Sequence, residues 1–335
     1  MAANEKKGNA FTNNKLVKAI GAQRMVVFLA VVLLFVFFSL FSSSFRQYTT
    51  FISLLDSSYY IAFMAIGVTF CLITGGVDLS IGTGMICYSL FGAYILANWG
   101  VPTWVAMLAC VIFGLIIGCL NGFLIAVLDL PAFIATLCTM MITRGLGSLL
   151  TGGLSVAWPS SAEPAGWFRN IFKFRMGELL IPGGFVFVII AIIIMSTVLN
   201  RTKTGRYIIA IGSNKEALRL SGVNVVKWQW TAYIISGFFT GLAAIAYGGV
   251  LSSSVAPGSG AGLEMDAIGA AIVGGTSMTG GSGSVFGTLL GVFVMSLLKI
   301  GLPNIGLQAN WQQIVTGLVL ILAIAIDVFK NKKAA

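Results

Sequence analysis

Long apolar runs, parted by short polar or glycine-containing breaks, organise the chain from residue 25 onward. They lie near 25–41, 59–75, 81–98, 103–127, 131–150 and 182–199, then, after one long polar passage at 200–228, near 229–250, 265–277, 284–300 and 311–328. A helix of about 20 apolar residues crosses the hydrocarbon of a bilayer, and most of these runs approach that length. The run at 265–277 is short and broken by glycine. A backbone in lipid must satisfy its own hydrogen bonds, so the pattern predicts an all-α fold, a polytopic transmembrane helical bundle of about ten spans. Residues 1–24 and 329–335 are left as polar tails around a transmembrane domain at 25–328.

The passage at 200–228 reads NRTKTGRYIIAIGSNKEALRLSGVNVVKW. Ser213-Asn214-Lys215-Glu216 has the form of a capping box, in which serine and glutamate satisfy each other's free backbone amides. It predicts a short helix starting at Ser213 and ending at Gly222, since glycine takes the left-handed terminal conformation without steric cost.

Composition agrees: 58% of residues are hydrophobic, 9% are charged and the mean hydropathy is +0.97, which excludes a water-soluble chain. The formal net charge of +10 raises the question of nucleic acid, but the basic residues cluster at the borders of apolar runs. Lys6, Lys7, Lys15, Lys18 and Arg24 precede the first run. Arg201, Lys203, Arg206, Lys215, Arg219 and Lys227 stand in the central passage against Glu216 alone, and Lys330, Lys332 and Lys333 close the chain. With six runs before the passage and four after it, all three clusters fall on one side, and the positive-inside rule makes the N- and C-termini cytoplasmic. Counting 265–300 as a single span would put the C-terminus outside. The first run lacks a small-residue cleavage site and reads as a retained span.

The chain has no histidine, which excludes a serine–histidine triad and an HExxH zinc site, and it has no GxxxxGK[ST] phosphate loop. Cys71, Cys87, Cys110, Cys119 and Cys138 all lie in apolar runs without metal-type spacing. No enzyme, resident cofactor or metal site is expected. Ionisable residues inside spans are functional candidates by default. Arg144 reads either as a contact for a polar permeant or as a side chain reaching the outer headgroups. Asp78, Glu264 and Asp266 sit beside helix starts, where a carboxylate also complements the helix dipole. Lys299, near an outer end, reads as snorkelling to the headgroups.

Trp99, Trp104, Trp158, Trp167 and Trp311 fall near the outer ends expected of the spans. In the outer loop 151–181, Trp167, Phe168, Ile171 and Phe172 would share a helical face opposite Arg169, Asn170 and Lys173. That predicts a helix lying on the outer surface, either a membrane anchor or a docking surface. Gly114, Gly118 and Gly122 recur every fourth residue, as do Gly283, Gly287 and Gly291, with Gly237 and Gly241 in a third span, so these helices are expected to pack closely. The passages from 73 and from 272 are loosely alike, each a span end, a glycine turn and a span start; a parallel repeat and chance similarity both fit.

Glu216-Ala217-Leu218-Arg219-Leu220-Ser221-Gly222 resembles the EAAxxxG cytoplasmic loop of ATP-binding-cassette import permeases, with leucine at the third position. With Gly212, Asn214 and Val223-Asn224-Val225 it resembles the ribose/galactoside permease family, although serine stands between Gly212 and Asn214. Gly75-Gly76-Val77-Asp78-Leu79-Ser80, Pro131-Ala132-Phe133-Ile134-Ala135-Thr136-Leu137, Arg144-Gly145, and Met265-Asp266-Ala267-Ile268 with Gly274-Gly275-Thr276-Ser277 extend the resemblance over most of 60–328.

The resemblance implies a bacterial inner-membrane importer for a monosaccharide. A second permease copy or paralogue, a cytoplasmic ATPase subunit carrying ATP and magnesium, and an external sugar-binding protein would be its partners, with no nucleic acid. Ser213, Glu216, Ala217, Arg219 and Gly222 are then the residues expected to couple to the ATPase. Glu216 would cap the helix, Ala217 leave room for close contact and Arg219 pair with an acidic residue. Asp78, Phe133, Arg144 and Asp266 are candidates for the translocation path, and Arg169, Lys173, Arg175 and Glu264 for docking the binding protein. The alternatives are a self-sufficient carrier or channel, against which the lack of an intramembrane carboxylate relay counts, and a membrane scaffold or receptor without transport.

Overall fold

The computed structural model describes residues 22–251 and 254–334. Lys6, Lys7, Lys15 and Lys18 of the basic N-terminal tail lie outside the described residues, as do the side chains of Lys330, Lys332 and Lys333. The first six apolar runs form α1 (Ala22–Phe41), α2 (Tyr48–Ile73), α3 (Ile81–Trp99), α4 (Thr103–Gly122), α5 (Ala132–Thr151) and α6 (Gly184–Arg201). The polar passage contributes α7 (Lys203–Ser213) and α8 (Lys215–Leu220). The last four runs give α9 (Val225–Ala246), α10 (Leu263–Val273), α11 (Val285–Asn304) and α12 (Ala309–Ala334). π-helical turns prolong α4 over Phe123–Val127 and α9 over Tyr247–Leu251.

The protein is a polytopic helical membrane protein, and among the described residues eight helices are long and apolar enough to cross a membrane. The run expected at 265–277 is α10, with 11 residues. At 1.5 Å per residue it spans about 16 Å, roughly half the hydrocarbon. The apolar part of α12, Asn310–Ala325, is likewise shorter than a full span. The expected ten runs are therefore all helical, but not all of full length. The all-α expectation needs one addition, two short antiparallel pairs. β1 (Val156–Ala157) pairs with β4 (Ser254–Val255), and β2 (Phe174–Met176) with β3 (Leu179–Ile181).

The centre of the bundle is α2, in which every residue from Leu54 to Ile73 is buried. A helix that is apolar all round can be enclosed by other helices on every side, as α2 is here. Its start lies well before the expected 59 because Ser53, Asp56, Ser57 and Ser58 interrupt the apolar pattern. Ser57 and Ser58 return their hydroxyl hydrogens to the carbonyls of Leu54 and Leu55, and Asp56 is paired with Lys173, so the helix continues through them.

The glycine faces pack as expected. Gly114 and Gly118 of α4 meet Gly237 and Gly241 of α9 with their backbones nearly touching, so that a Cβ at Gly237 would lie 2.8 Å from Cα of Gly118. Gly287 and Gly291 of α11 meet Gly274 and Ala270 in the same manner, with Gly283 pressed against the side chain of Ile73. Such backbone proximity maximises dispersion contact where lipid offers no hydrophobic drive between helices. By contrast α1 and α5 lie at the periphery, exposing Val26, Phe28, Leu33 and Leu40, and Ile134, Met141, Ile142 and Leu149.

The outer segment departs from expectation. Pro164–Phe168 is a 3-10 turn continued by a single α-turn at Arg169–Phe172, not a surface helix. Phe168 and Phe172 are buried while Trp167 and Ile171 are exposed, so the four do not share one lipid-facing stripe.

Candidate functional site

α8 projects from the bundle with no buried residue. Its cap differs from the capping box. Ser213 ends α7, where its Oγ donates to the Ile209 carbonyl, and the side chain of Asn214 accepts from the Ala217 amide at 2.8 Å. Asn214 is therefore the N-cap, and Glu216 lies in the first turn, where its charge favours the helix dipole. Gly222 follows the helix with φ +82°, the left-handed terminus expected. Ser213, Glu216, Ala217, Arg219 and Gly222 are all exposed and gathered on this one projection. Asn214→Ala should cost the helix about 1 kcal/mol. Amide hydrogen exchange over Lys215–Leu220 should accelerate in that variant and stay unchanged in Ser213→Ala.

α7 is the element the polar passage concealed. Thr202 caps it by accepting from the Gly205 amide, and Ile208 and Ile211 bury its inner face. The spacing of Ile208 and Ile211 after a threonine cap was the available signal. Its last turn meets two other segments backbone to backbone. The Gly281 amide donates to the Ile73 carbonyl at 2.9 Å, joining the α10–α11 connection to the end of α2. A Cβ at Gly212 would run into the Ile73 carbonyl and the Gly281 amide, and one at Gly280 would lie 2.9 Å from both Gly212 Cα and the Gly75 nitrogen. Gly75, Gly280 and Gly281 all have positive φ. Thus the end of α7, immediately before α8, is locked to the two alike glycine turns at 73–80 and 274–284.

Beyond the first of these turns lies a buried polar network. Asp78, 1% exposed, accepts at Oδ1 from the Ser80 amide at 3.0 Å and the Ser80 hydroxyl at 2.6 Å, and at Oδ2 from Ser236 at 2.7 Å. Asn121 donates to Ser80 Oγ at 2.9 Å and accepts from Thr139 at 2.7 Å. The network ties the 74–80 turn to α4, α5 and α9. Asp78 thus sits beside the start of α3, as expected, and is at the same time an interior anchor.

Halfway along α2, Lys299 of α11 donates to Tyr60 Oη at 2.6 Å and pairs with Asp266 of α10 at 3.3 Å. Lys299 therefore turns inward, and its expected snorkelling is corrected: a buried carboxylate outcompetes the headgroups. Nearby, Lys173 is bonded to Asp56 at 2.6 Å. Arg169 donates to the carbonyls of Pro159, Trp158 and Gly249, clamping the outer segment to the end of α9. Burial lowers the Arg169 pKa, and Glu163 opposes that effect. Glu264 is buried beside Gly82 and accepts from the Gly262 amide. Of the four docking candidates, only Arg175, on the β2–β3 hairpin, presents an exposed side chain; Arg169, Lys173 and Glu264 are engaged inside the protein.

The translocation-path candidates do not converge. Thr136, Thr139 and Thr143 form the buried stripe of α5, whereas Phe133 and Arg144 are exposed on its outer flank, away from Asp78 and Asp266. Among the described residues no cluster of histidine, cysteine, aspartate or glutamate could hold a metal ion.

Residues 50–324 match the family described as "Branched-chain amino acid transport system / permease component". The chain belongs to this permease family. The permease is 34% identical over 313 residues to the ribose import permease protein RbsC of Escherichia coli (strain K12), covering 91% of this chain and 92% of that protein. It is 34% identical to the galactose/methyl galactoside import permease protein MglC of Haemophilus influenzae, with 87% and 89% covered. With the fructose import permease protein FruG of Bifidobacterium longum it shares 32%, covering 82% and 81%. No solved structure matches the permease. The matched span contains α8, the glycine junction and the Asp78 network entire. It also takes in residues that sequence reasoning passed over: Asp56, Tyr60, Asn121 and Ser236. Asp56 and Asn121 were visible as polar breaks in apolar runs, but nothing local named their partners.

Proposed function

We propose that the chain is the membrane-spanning permease subunit of an import system for a monosaccharide, driven by a separate ATPase subunit and fed by an extracytoplasmic binding protein. The observation that carries this reading is the continuity from the exposed, self-capped α8 through Gly212 to the backbone of both glycine turns. A partner that grips α8 can thereby pull on α2, α3, α10 and α11 together. Rocking of packed helices about such a connection is the usual means of alternating access in transporters. The relatives named for ribose, galactose and fructose import support a monosaccharide as the solute. The order of helices supports ten membrane-crossing or membrane-entering segments. The start of α1, α8 and the end of α12 then share the cytoplasmic face, as the basic clusters require. A second permease copy against α5 would bring Phe133 and Arg144 of each chain to a shared path.

Reconstitution with the partner ATPase and binding protein tests this. ATP-dependent uptake of ribose, galactose or fructose is expected, and it should fall in Glu216→Arg and Gly222→Val. Uptake unchanged in both variants would remove α8 from coupling. Flux of the same solutes without ATP or partners would instead establish a self-sufficient carrier.

A further inference from the structure

The half of the bundle remote from α8 contains a cleft with several polar side chains in its walls, which the proposed coupling does not use. Two adjoining hollows, of about 660 and about 440 Å³, share Lys299 and Leu263 in their walls. The larger lies between the start of α10 and the start of α12, the smaller between α2 and the end of α11. The smaller is walled by the half of α2 remote from α8 and includes Asp56, which Lys173 ties to the outer segment.

The hydrogen-bonding capacity of this cleft is only partly spent. An ammonium group has three donors. Lys299 uses two of them, on Tyr60 and Asp266, and retains the third. Because Tyr60 Oη accepts from Lys299, its own O–H remains available. Asp266 binds Lys299 through Oδ2, and among the described residues Oδ1 has no hydrogen-bond partner. Gln312 and Gln313 line the larger hollow and their side-chain amides have no hydrogen bond within the described protein. Unspent donors and unspent acceptors thus converge on one space. Its charges are balanced, Lys299 against Asp266 and Lys173 against Asp56, so it has no net preference for an anion or a cation. Tyr60 and Tyr247 meet edge to face at 5.3 Å and add aromatic surface to the smaller hollow.

Charge balance, paired donors and acceptors, and an aromatic wall suit a ligand whose groups each donate and accept. That is the chemistry of a hydroxyl-rich neutral molecule. We propose that this cleft between α2, α10, α11 and α12 is a binding site for a neutral polyhydroxylated solute on the receiving side of the permease. The site deepens the monosaccharide reading and rests on it. Ionisable groups placed within a bilayer-spanning bundle are costly and are functional candidates by default, and a solute that completes their hydrogen bonds would give them a role.

The test uses the full-length chain in lipid nanodiscs, with saturation-transfer NMR of D-ribose, D-galactose and D-fructose, and with L-leucine and acetate as probes of the wrong chemistry. At least one monosaccharide should bind, and leucine and acetate should not. The Gln312→Ala/Gln313→Ala double variant should weaken binding about fivefold or more, as loss of one or two net hydrogen bonds implies. Neither amide has a partner among the described residues, so thermal unfolding should be unchanged; Asn310→Ala, at another exposed position in the wall, serves as a second variant. Wild-type binding that is absent, equal for leucine, or unaltered in both variants overturns the site. ATP-driven uptake by the reconstituted complex, measured in parallel, separates the two claims. Uptake that persists while the cleft fails leaves the importer reading standing. A wild-type complex that moves no monosaccharide removes the importer reading itself.

Discussion

Gly212→Ala is expected to lower ATP-driven uptake about tenfold or more while leaving binding of the ATPase intact. The added Cβ has no flexible side chain to displace: it meets the Ile73 carbonyl and the Gly281 amide, two partners already bonded to each other. Accommodation requires the end of α7 to move away from both glycine turns, and packed backbone leaves no gradual way to do so. α8 lies beyond the altered turn and keeps its own cap and its exposed residues. A variant that still binds and activates the ATPase, yet moves little solute, is therefore the expected outcome in proteoliposomes. Gly222→Ala is the matched control. Its φ of +82° imposes strain of about 1–2 kcal/mol on alanine, but the new methyl points into open space. It should disturb α8 locally with a smaller loss. Normal uptake by Gly212→Ala would show that force does not travel through this junction.

Replacement of Asp78 by alanine should destabilise the bundle by on the order of 3 kcal/mol. The carboxylate is the shared acceptor for the Ser80 amide, the Ser80 hydroxyl and the Ser236 hydroxyl. Leaving buried donors unpaired costs more than the original bonds contributed, because the desolvation of each group is no longer offset. Asp78→Asn, which preserves one carbonyl acceptor and the volume, should lose clearly less. Thermal unfolding of the solubilised protein, followed by retention of monodisperse size, gives the comparison. Equal stability of the alanine variant and the wild type would contradict the anchoring role.

The spans and their close packing were readable in the residues themselves. Gly114, Gly118, Gly237 and Gly241 occupy single helix faces, and glycine repeated at that spacing can serve backbone contact whatever the neighbour. The position of α8 was readable for the same local reason, to within one residue: serine and asparagine are both good caps, and Asn214 prevailed because α7 continues through Ser213. The local shape of the outer segment was misread because Arg169 and Lys173 alternate with aromatic residues, a pattern that fits a surface helix. The segment instead folds as a 3-10 turn, and both cations find acceptors in the interior. Phe133 was placed by resemblance and Arg144 as an ionisable residue within a span; neither a motif nor a charge says in which direction the side chain faces.

What the sequence determined by itself is the membrane-spanning class, the order of helices, the glycine faces and the polar projection at α8. Hydropathy, caps and glycine spacing act over a few residues, and a short stretch suffices to express them. Only the tertiary structure decided that Asp78 anchors α4 and α9, that Lys299 joins Asp266 and Tyr60 around an outer cleft, and that Gly212 locks α7 to both glycine turns. Asp78 and Ser236 are 158 positions apart, and Lys299 and Tyr60 are 239 apart. Lipid accepts every apolar face of a helix alike, so a span's own residues do not say which neighbour it will meet. A buried polar group acquires its role only when packing brings its distant partner within reach.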